Sequence, residues 1–285
     1  MAATEALIVS RTYLPTLIVS YTAHAGGAER ILADHATAIG EDCVAACPEG
    51  WLADRLREQG IRVFPLPERA LELGGQRAAA VRRLAGLARE VRGLAEALRP
   101  HTVLAWGMRA ALASAVALSG LDPRPRLVFQ HNDLLPGAAV GRAVRAAATR
   151  ADRVLALSEA IAVDLDPGAK LGVTVIRPGV DLERFAPPAS APSTEAPALF
   201  LGAITDWKRP DLAVAAASEA GVPLVIAGAP LDSAGEQLEA RLRAAAPAGI
   251  TFAGRLLDPA EALRGASVLL HCADREPYGM ALVEA

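Results

Sequence analysis

The sequence predicts an α/β protein of two Rossmann-like, doubly wound domains, the C-terminal one incomplete, on three observations. Short aliphatic runs alternate with longer amphipathic stretches along most of the chain, which is the pattern of parallel strands covered by helices. Hydrophobic residues make up 52 % of the 285 residues and aromatics only 4 %, so the core is aliphatic. One Pro-, Ala- and Ser-rich stretch, "FAPPASAPSTEAPA" at 185–198, interrupts the alternation, which then resumes.

Taken in order, the first core strand is "TLIVSY", 16–21. The tetrapeptide "LIVS" occurs at 7–10 and again at 17–20, but only the second copy leads into the turn "HAGGAER", 24–30. The first copy is an extension or an added edge strand. Strands follow at 43–47, 62–66, 102–106, 126–131, 153–158 and 173–178, separated by helical segments near 51–59, 77–99, 108–119, 139–150 and 159–165. Residues 185–198 read as a linker between an N-terminal domain, 1–184, and a C-terminal domain, 199–285. In the second domain strands fall at 198–203, 223–228, 250–254 and 267–272, with helices near 209–220 and 233–245 and a short one before the last strand. A complete doubly wound copy needs one or two more β-α units. The chain is therefore expected to be shortened at its C-terminus, weakly stable and poorly active.

Bulk properties exclude several function classes. A net charge of −3 argues against nucleic acid as a main partner. Cys43, Cys47 and Cys272 are odd in number and form no Cys-x-x-Cys pair, which fits reduced thiols in the cytoplasm. No run approaches the roughly 20 apolar residues that span a bilayer, and the N-terminus lacks the basic start and cleavage site of a signal peptide. The helix at 77–100 carries an apolar stripe of Val81, Leu84, Leu87, Val91, Leu94 and Leu98. Such a stripe is the packed face of a core helix, or a surface for peripheral contact with the inner membrane face.

Three short stretches invite chemistry. In the glycine turn, Gly26 and Gly27 let the backbone bend sharply and leave the helix N-terminus bare for a phosphate or sugar oxygen. The same pair also suits a tight turn with no ligand, and it is not the G-x-G-x-x-G dinucleotide fingerprint. In "LGAITDWKRPDLA", 201–213, Lys208 and Arg209 sit between a strand and its helix. Arginine is the habitual cation here and only Lys170 and Lys208 are lysines. A compact ammonium at a strand's carboxyl end suits a diphosphate, although a solvated surface lysine is the commoner fate. In "EPYGMALVEA", Glu276 precedes a turn at Gly279, and Glu284 lies about two helical turns beyond it. Two carboxylates so placed accept hydrogen bonds from hydroxyls of a sugar ring and a ribose. No Asp/His cluster with metal spacing is evident, so no metal or other cofactor is expected.

Together these stretches resemble the retaining GT-B glycosyltransferases of the family-four type. "GGAER", "EGWLADRLREQGIRVFPLP", "RADRVLALSEAIAVDL", "VIRPGVDLERF", "WKRPDLAVAA" and "EPYGMALVEA" succeed one another in that family's order. The resemblance implies transfer of a sugar from a nucleotide-diphosphate sugar donor to an unidentified acceptor, with same-face attack and retained anomeric configuration. It implies that Lys208, with Arg209 beside it, pairs with the donor diphosphate and that Glu284 binds the ribose hydroxyls. Glu276 contacts the donor sugar at the reacting centre, and the backbone around Tyr278, Gly279, Met280 and Ala281 touches sugar and phosphate. Gly26 and Gly27 approach the diphosphate from the other domain, and His131, in "FQHND", faces the donor sugar. By itself a histidine at that place is equally a strand-end residue. One departure stands out: Ala203 occupies a position where the family usually has an arginine that shares the diphosphate. That departure keeps open a non-catalytic sugar-nucleotide-binding protein, and the fold admits a sugar-nucleotide epimerase.

Overall fold

The computed structural model describes residues 15–23, 26–68, 77–190, 192–193, 195–256 and 258–285. The "LIVS" copy at 7–10 lies outside them. The chain divides into two compact units, Met1–Pro178 and Gly179–Ala285.

The first unit holds strands β1 (Thr16–Val19), β2 (Cys43–Pro48), β3 (Arg62–Leu66), β4 (Thr102–Trp106), β5 (Arg126–His131), β6 (Arg153–Ala156) and β7 (Thr174–Val175). They form one sheet in the order β3-β2-β1-β4-β5-β6-β7, with every pairing parallel. Helices α1 (Gly27–Ile39), α2 (Trp51–Glu58), α3 (Arg77–Leu98), α4 (Met108–Ala117), α5 (Ala138–Ala148) and α6 (Glu159–Leu165) supply the crossovers. Central β1 shows why the strands read as unbroken aliphatic runs: Leu17, Ile18 and Val19 are all buried, as a strand covered on both faces requires. Its Val19 stands in register with Ala46 on one side and Ala105 on the other. Phe129, Leu127, Val103 and Val91 belong to the same core.

The apolar stripe of α3 resolves into core packing. Leu87 and Val91 are buried, while Leu84, Leu94 and Leu98 pack partly buried against the core. Val81 alone of the six departs, being 66 % exposed. Arg92, on the polar side, donates to the carbonyls of Ala117 and Ser119 at the end of α4, so even this face carries a structural contact. Among the described residues no helix is long and apolar enough to cross a membrane.

The second unit holds β8 (Ala198–Leu201), β9 (Leu224–Ala227), β10 (Ile250–Gly254) and β11 (Val268–Leu269), all parallel, in the order β10-β9-β8-β11. Helices α7 (Pro210–Ala220), α8 (Ser233–Ala245), α9 (Pro259–Gly265) and α10 (Met280–Glu284) accompany them. Side-chain caps fix two of the starts: Asp232 accepts from the Gly235 amide and Asp258 from the Ala260 amide. Phe200, Leu224, Ile226 and Leu238 centre this smaller core. The Pro-rich 185–198 stretch lies in this unit, and none of its described residues before Ala198 is in a helix or strand.

Two strands are shorter than the sequence suggests. The runs at 173–178 and 267–272 form ladders of only two residues each, β7 and β11. Both lie at a sheet edge with one neighbour, so pairing ends where that neighbour turns away. The remaining strands and helices fall within a few residues of their predicted spans.

Both sheets share one consequence of their order. The chain leaves β1 toward β2 on one side and later returns to β4 on the other, and β8 stands in the same relation to β9 and β11. In such sheets the loops beyond the carboxyl ends of the two central strands diverge and leave a crevice.

Candidate functional site

In the second unit the crevice lies between the loops that follow β8 and β11, and Lys208 from the first of these meets Glu276 from the second. After β8 the chain passes through a single 3₁₀ turn, Asp206–Lys208, and then Arg209, which sits in the left-handed region at φ 55°. Pro210 follows and opens α7, and a residue before a proline is disfavoured in the right-handed helical region. For a residue with a Cβ this conformation costs on the order of 1 kcal/mol. Ion pairs from the Arg209 guanidinium to Asp211 (2.9 Å) and Asp274 (3.4 Å) offset it. Arg209 in turn holds the Asp211 carboxyl below its ordinary range.

Lys208 turns the other way. Its Nζ donates to Glu276 Oε2 and lies 4.5 Å from the centre of the Trp207 ring, a cation–π contact worth about 1 kcal/mol. The two side chains of the ion pair are 17 % and 20 % exposed, so the pair is largely withdrawn from solvent. His271, just beyond β11, brings Nε2 to 3.2 Å from the same Glu276 oxygen. That nitrogen is buried and has no well-aligned hydrogen bond.

Gly279 fixes the stem of Glu276. It is left-handed at φ 86°, and a Cβ there would stand 3.2 Å from Leu282 Cδ1 and 3.4 Å from Glu276 Cγ. Only glycine meets both demands. Tyr278, Met280, Ala281 and Glu284 follow around this turn and along α10, each half-buried. The other flank of the β8 loop is equally restricted, because a Cβ on Gly228, after β9, would lie 1.7 Å from the Gly202 carbonyl oxygen. The loops after β8 and β9 therefore touch backbone to backbone, which holds the Lys208 loop in place.

In the first unit Gly26 and Gly27 lie in the turn after β1, and His131 ends β5. Gly26 caps α1 without a side-chain cap, and Glu29 in the first turn folds back so far that a Cβ on Gly26 would meet its Oε2 at 2.3 Å. This end of α1 thus already faces a carboxylate of the protein's own. Trp106 Nε1, at the end of β4, donates to the Ala28 carbonyl and ties the turn to the sheet. His131 ends β5 with no exposed surface, its ring 5.3 Å from that of Phe129. Neither ring nitrogen has a hydrogen-bond partner among the described residues. Burial pushes the imidazole down to about 4, helped by Arg145 and opposed by Asp164, so it is neutral at physiological pH.

The second unit therefore brings Lys208 and Glu276 into contact and sets Gly279 against Glu276, while Arg209 joins a separate carboxylate cluster. Sequence reasoning missed His271, Trp207, Asp274 and Glu29. His271 carried the signal that singled out His131, a histidine closing an aliphatic run, in "SVLLHC". Among the described residues no group of three or more His, Cys, Asp or Glu side chains is placed to hold a metal ion.

Comparison with known families places this geometry. Residues 25–184 match the model of Glycosyltransferase Family 4, and residues 183–285 that of Glycosyl transferases group 1. The chain belongs to glycosyltransferase family 4. Solved structures of the same GT-B fold include HepE of Anabaena in complex with UDP-glucose, with a TM-score of 0.79 at 20 % identity over 96 % of this chain and 78 % of that one. Sucrose-phosphate synthase from Thermosynechococcus elongatus matches with a TM-score of 0.73 at 16 % identity, over 95 % and 78 % of the two chains. The lipopolysaccharide outer core galactosyltransferase WaaB, in its apo form, matches at 0.65 and 17 % identity, over 95 % and 77 %. A comparison with curated protein sequences finds no match.

Proposed function

We propose that this family member transfers a sugar from a nucleoside-diphosphate sugar, with UDP-glucose the first donor to test, to an acceptor with retention of anomeric configuration. The single observation that carries the reading is the Lys208–Glu276 pair at the switch point of the second sheet, partly buried and reached from two different loops. As the bond from sugar to diphosphate breaks, negative charge grows on the departing oxygen. A fixed ammonium meets that charge without reorganising, and such preorganised electrostatics usually supply most of an enzyme's rate enhancement. Glu276 accepts from donor sugar hydroxyls and Glu284 from the ribose. In the first unit the glycine turn at Gly26 and Gly27 and the neutral His131 are the residues to test for a part in donor binding, His131 only after a rearrangement that exposes its ring. Arg209 acts mainly on its neighbours, since two carboxylates already hold it. The precedent for the donor is HepE, whose structure holds UDP-glucose.

The test combines binding and turnover. A donor that binds only the folded protein at about a hundred times its Kd adds about 2.7 kcal/mol of stability, visible as a raised melting temperature in a screen of nucleotide sugars. The best donor should then yield nucleoside diphosphate, and Lys208→Ala and Glu276→Ala should lose that release. Donor binding without release against any acceptor would instead identify a sugar-nucleotide-binding protein.

A further inference from the structure

We infer that His271 is a positioning residue that takes up a proton from solvent as Lys208 moves its ion pair from Glu276 to the donor diphosphate. The Glu276 carboxylate then stays ionised and in place. The inference rests on the proposed donor reading and starts from one shared atom. Lys208 Nζ and His271 Nε2 both meet Glu276 Oε2, the histidine at 3.2 Å. A diphosphate draws the ammonium away from this oxygen, leaving an anion that is only 20 % exposed. Such a carboxylate must gain a proton or a new counter-charge.

The imidazole is the base in contact with that oxygen, and a cation on the ring restores a counter-charge while leaving the carboxylate able to accept from the donor sugar. The imidazolium then replaces the ammonium as the partner of Oε2, with a charge-assisted hydrogen bond. No covalent bond changes in the protein's heavy atoms: Lys208 keeps its protons, and His271 gains one from water. The other charged groups nearby are already balanced. Cys272 feels Asp211 and Arg209, and Arg209 pairs with both Asp211 and Asp274. Asp206 and Arg275 are exposed.

Two measurements test this in the full chain. Titration of His271 by NMR, its signal identified by loss in His271→Asn, needs no donor. The midpoint should rise by about 1 pH in Lys208→Met and fall in Glu276→Gln, in line with the usual effect of one adjacent charge. Equal midpoints in all three proteins would overturn the inference. Calorimetry with UDP-glucose at pH 7.5, in buffers of different ionisation enthalpy, should show uptake of a fraction of a proton that vanishes in His271→Asn. Binding with no dependence on buffer would also overturn it. If UDP-glucose does not bind, that donor is wrong, and the titration alone decides the coupling.

Discussion

His131 closes β5 in the first unit and His271 follows β11 in the second, yet the two imidazoles live in opposite surroundings. His131 has strands on both sides of it and no exposed surface; its ring meets Phe129 and is held neutral by burial. His271 lies just beyond β11, is 18 % exposed, and meets a carboxylate. The contrast shows that a residue type at a strand end does not define its chemistry. The side chains packed around it do: His131 lies against Phe129 in an apolar surrounding, and His271 lies against Glu276.

The contrast can be broken at its apolar side first. Phe129→Ala removes a fully buried ring from the larger core and should cost about 4 kcal/mol of stability by denaturant unfolding. A loss below about 1 kcal/mol would mean that the wall around His131 is loose. On the polar side, Lys208→Ala should lower nucleoside diphosphate release on the order of a hundredfold, about 3 kcal/mol of transition-state stabilisation. Unchanged release would remove the ammonium from the mechanism.

Acid sharpens the difference. His131 titrates at about 4 in the folded chain against an ordinary 6.5, so between those values the unfolded state binds more protons. The stability it contributes is complete above pH 6.5 and is lost as the pH falls toward and below 4, up to about 3 kcal/mol. Urea unfolding at a series of pH values should show this loss, and His131→Leu should flatten it. In the second unit Gly228→Ala places a methyl group against the Gly202 carbonyl and should cost about 2 kcal/mol, with a weaker hold on the Lys208 loop. Undiminished stability and donor affinity there would show that the loops are free to part. The smallest effect is the control. Arg177 pairs with Glu159 at 3.3 Å while both are more than 60 % exposed, so Arg177→Ala should change stability by less than about 0.5 kcal/mol.

Most of the fold was legible because a buried parallel strand and an amphipathic helix each impose a local pattern. "RLVFQH" and "SAGEQLEARLRAA" are read as strand and helix from their own residues, and they fold as β5 and α8. The edge strands were overestimated, since "VTVIRP" and "SVLLHC" are as aliphatic as interior strands. Their length depends on a neighbour that sequence does not display. The site was legible where a motif carried it: Lys208 and Glu276 were named from two stretches 68 residues apart and stand in contact.

The chain's own letters settled that parallel strands alternate with helices, that a turn falls at Gly279, and that Lys208 and two glutamates merit chemistry. Each of those is a local demand of backbone geometry or side-chain type. Which charge meets which was decided only by tertiary structure. Asp211 and Asp274 converge on Arg209, while His271 and Lys208 share one oxygen of Glu276. Electrostatic contacts act through space over a few ångströms, and the crossover from β8 to β11 sets those distances.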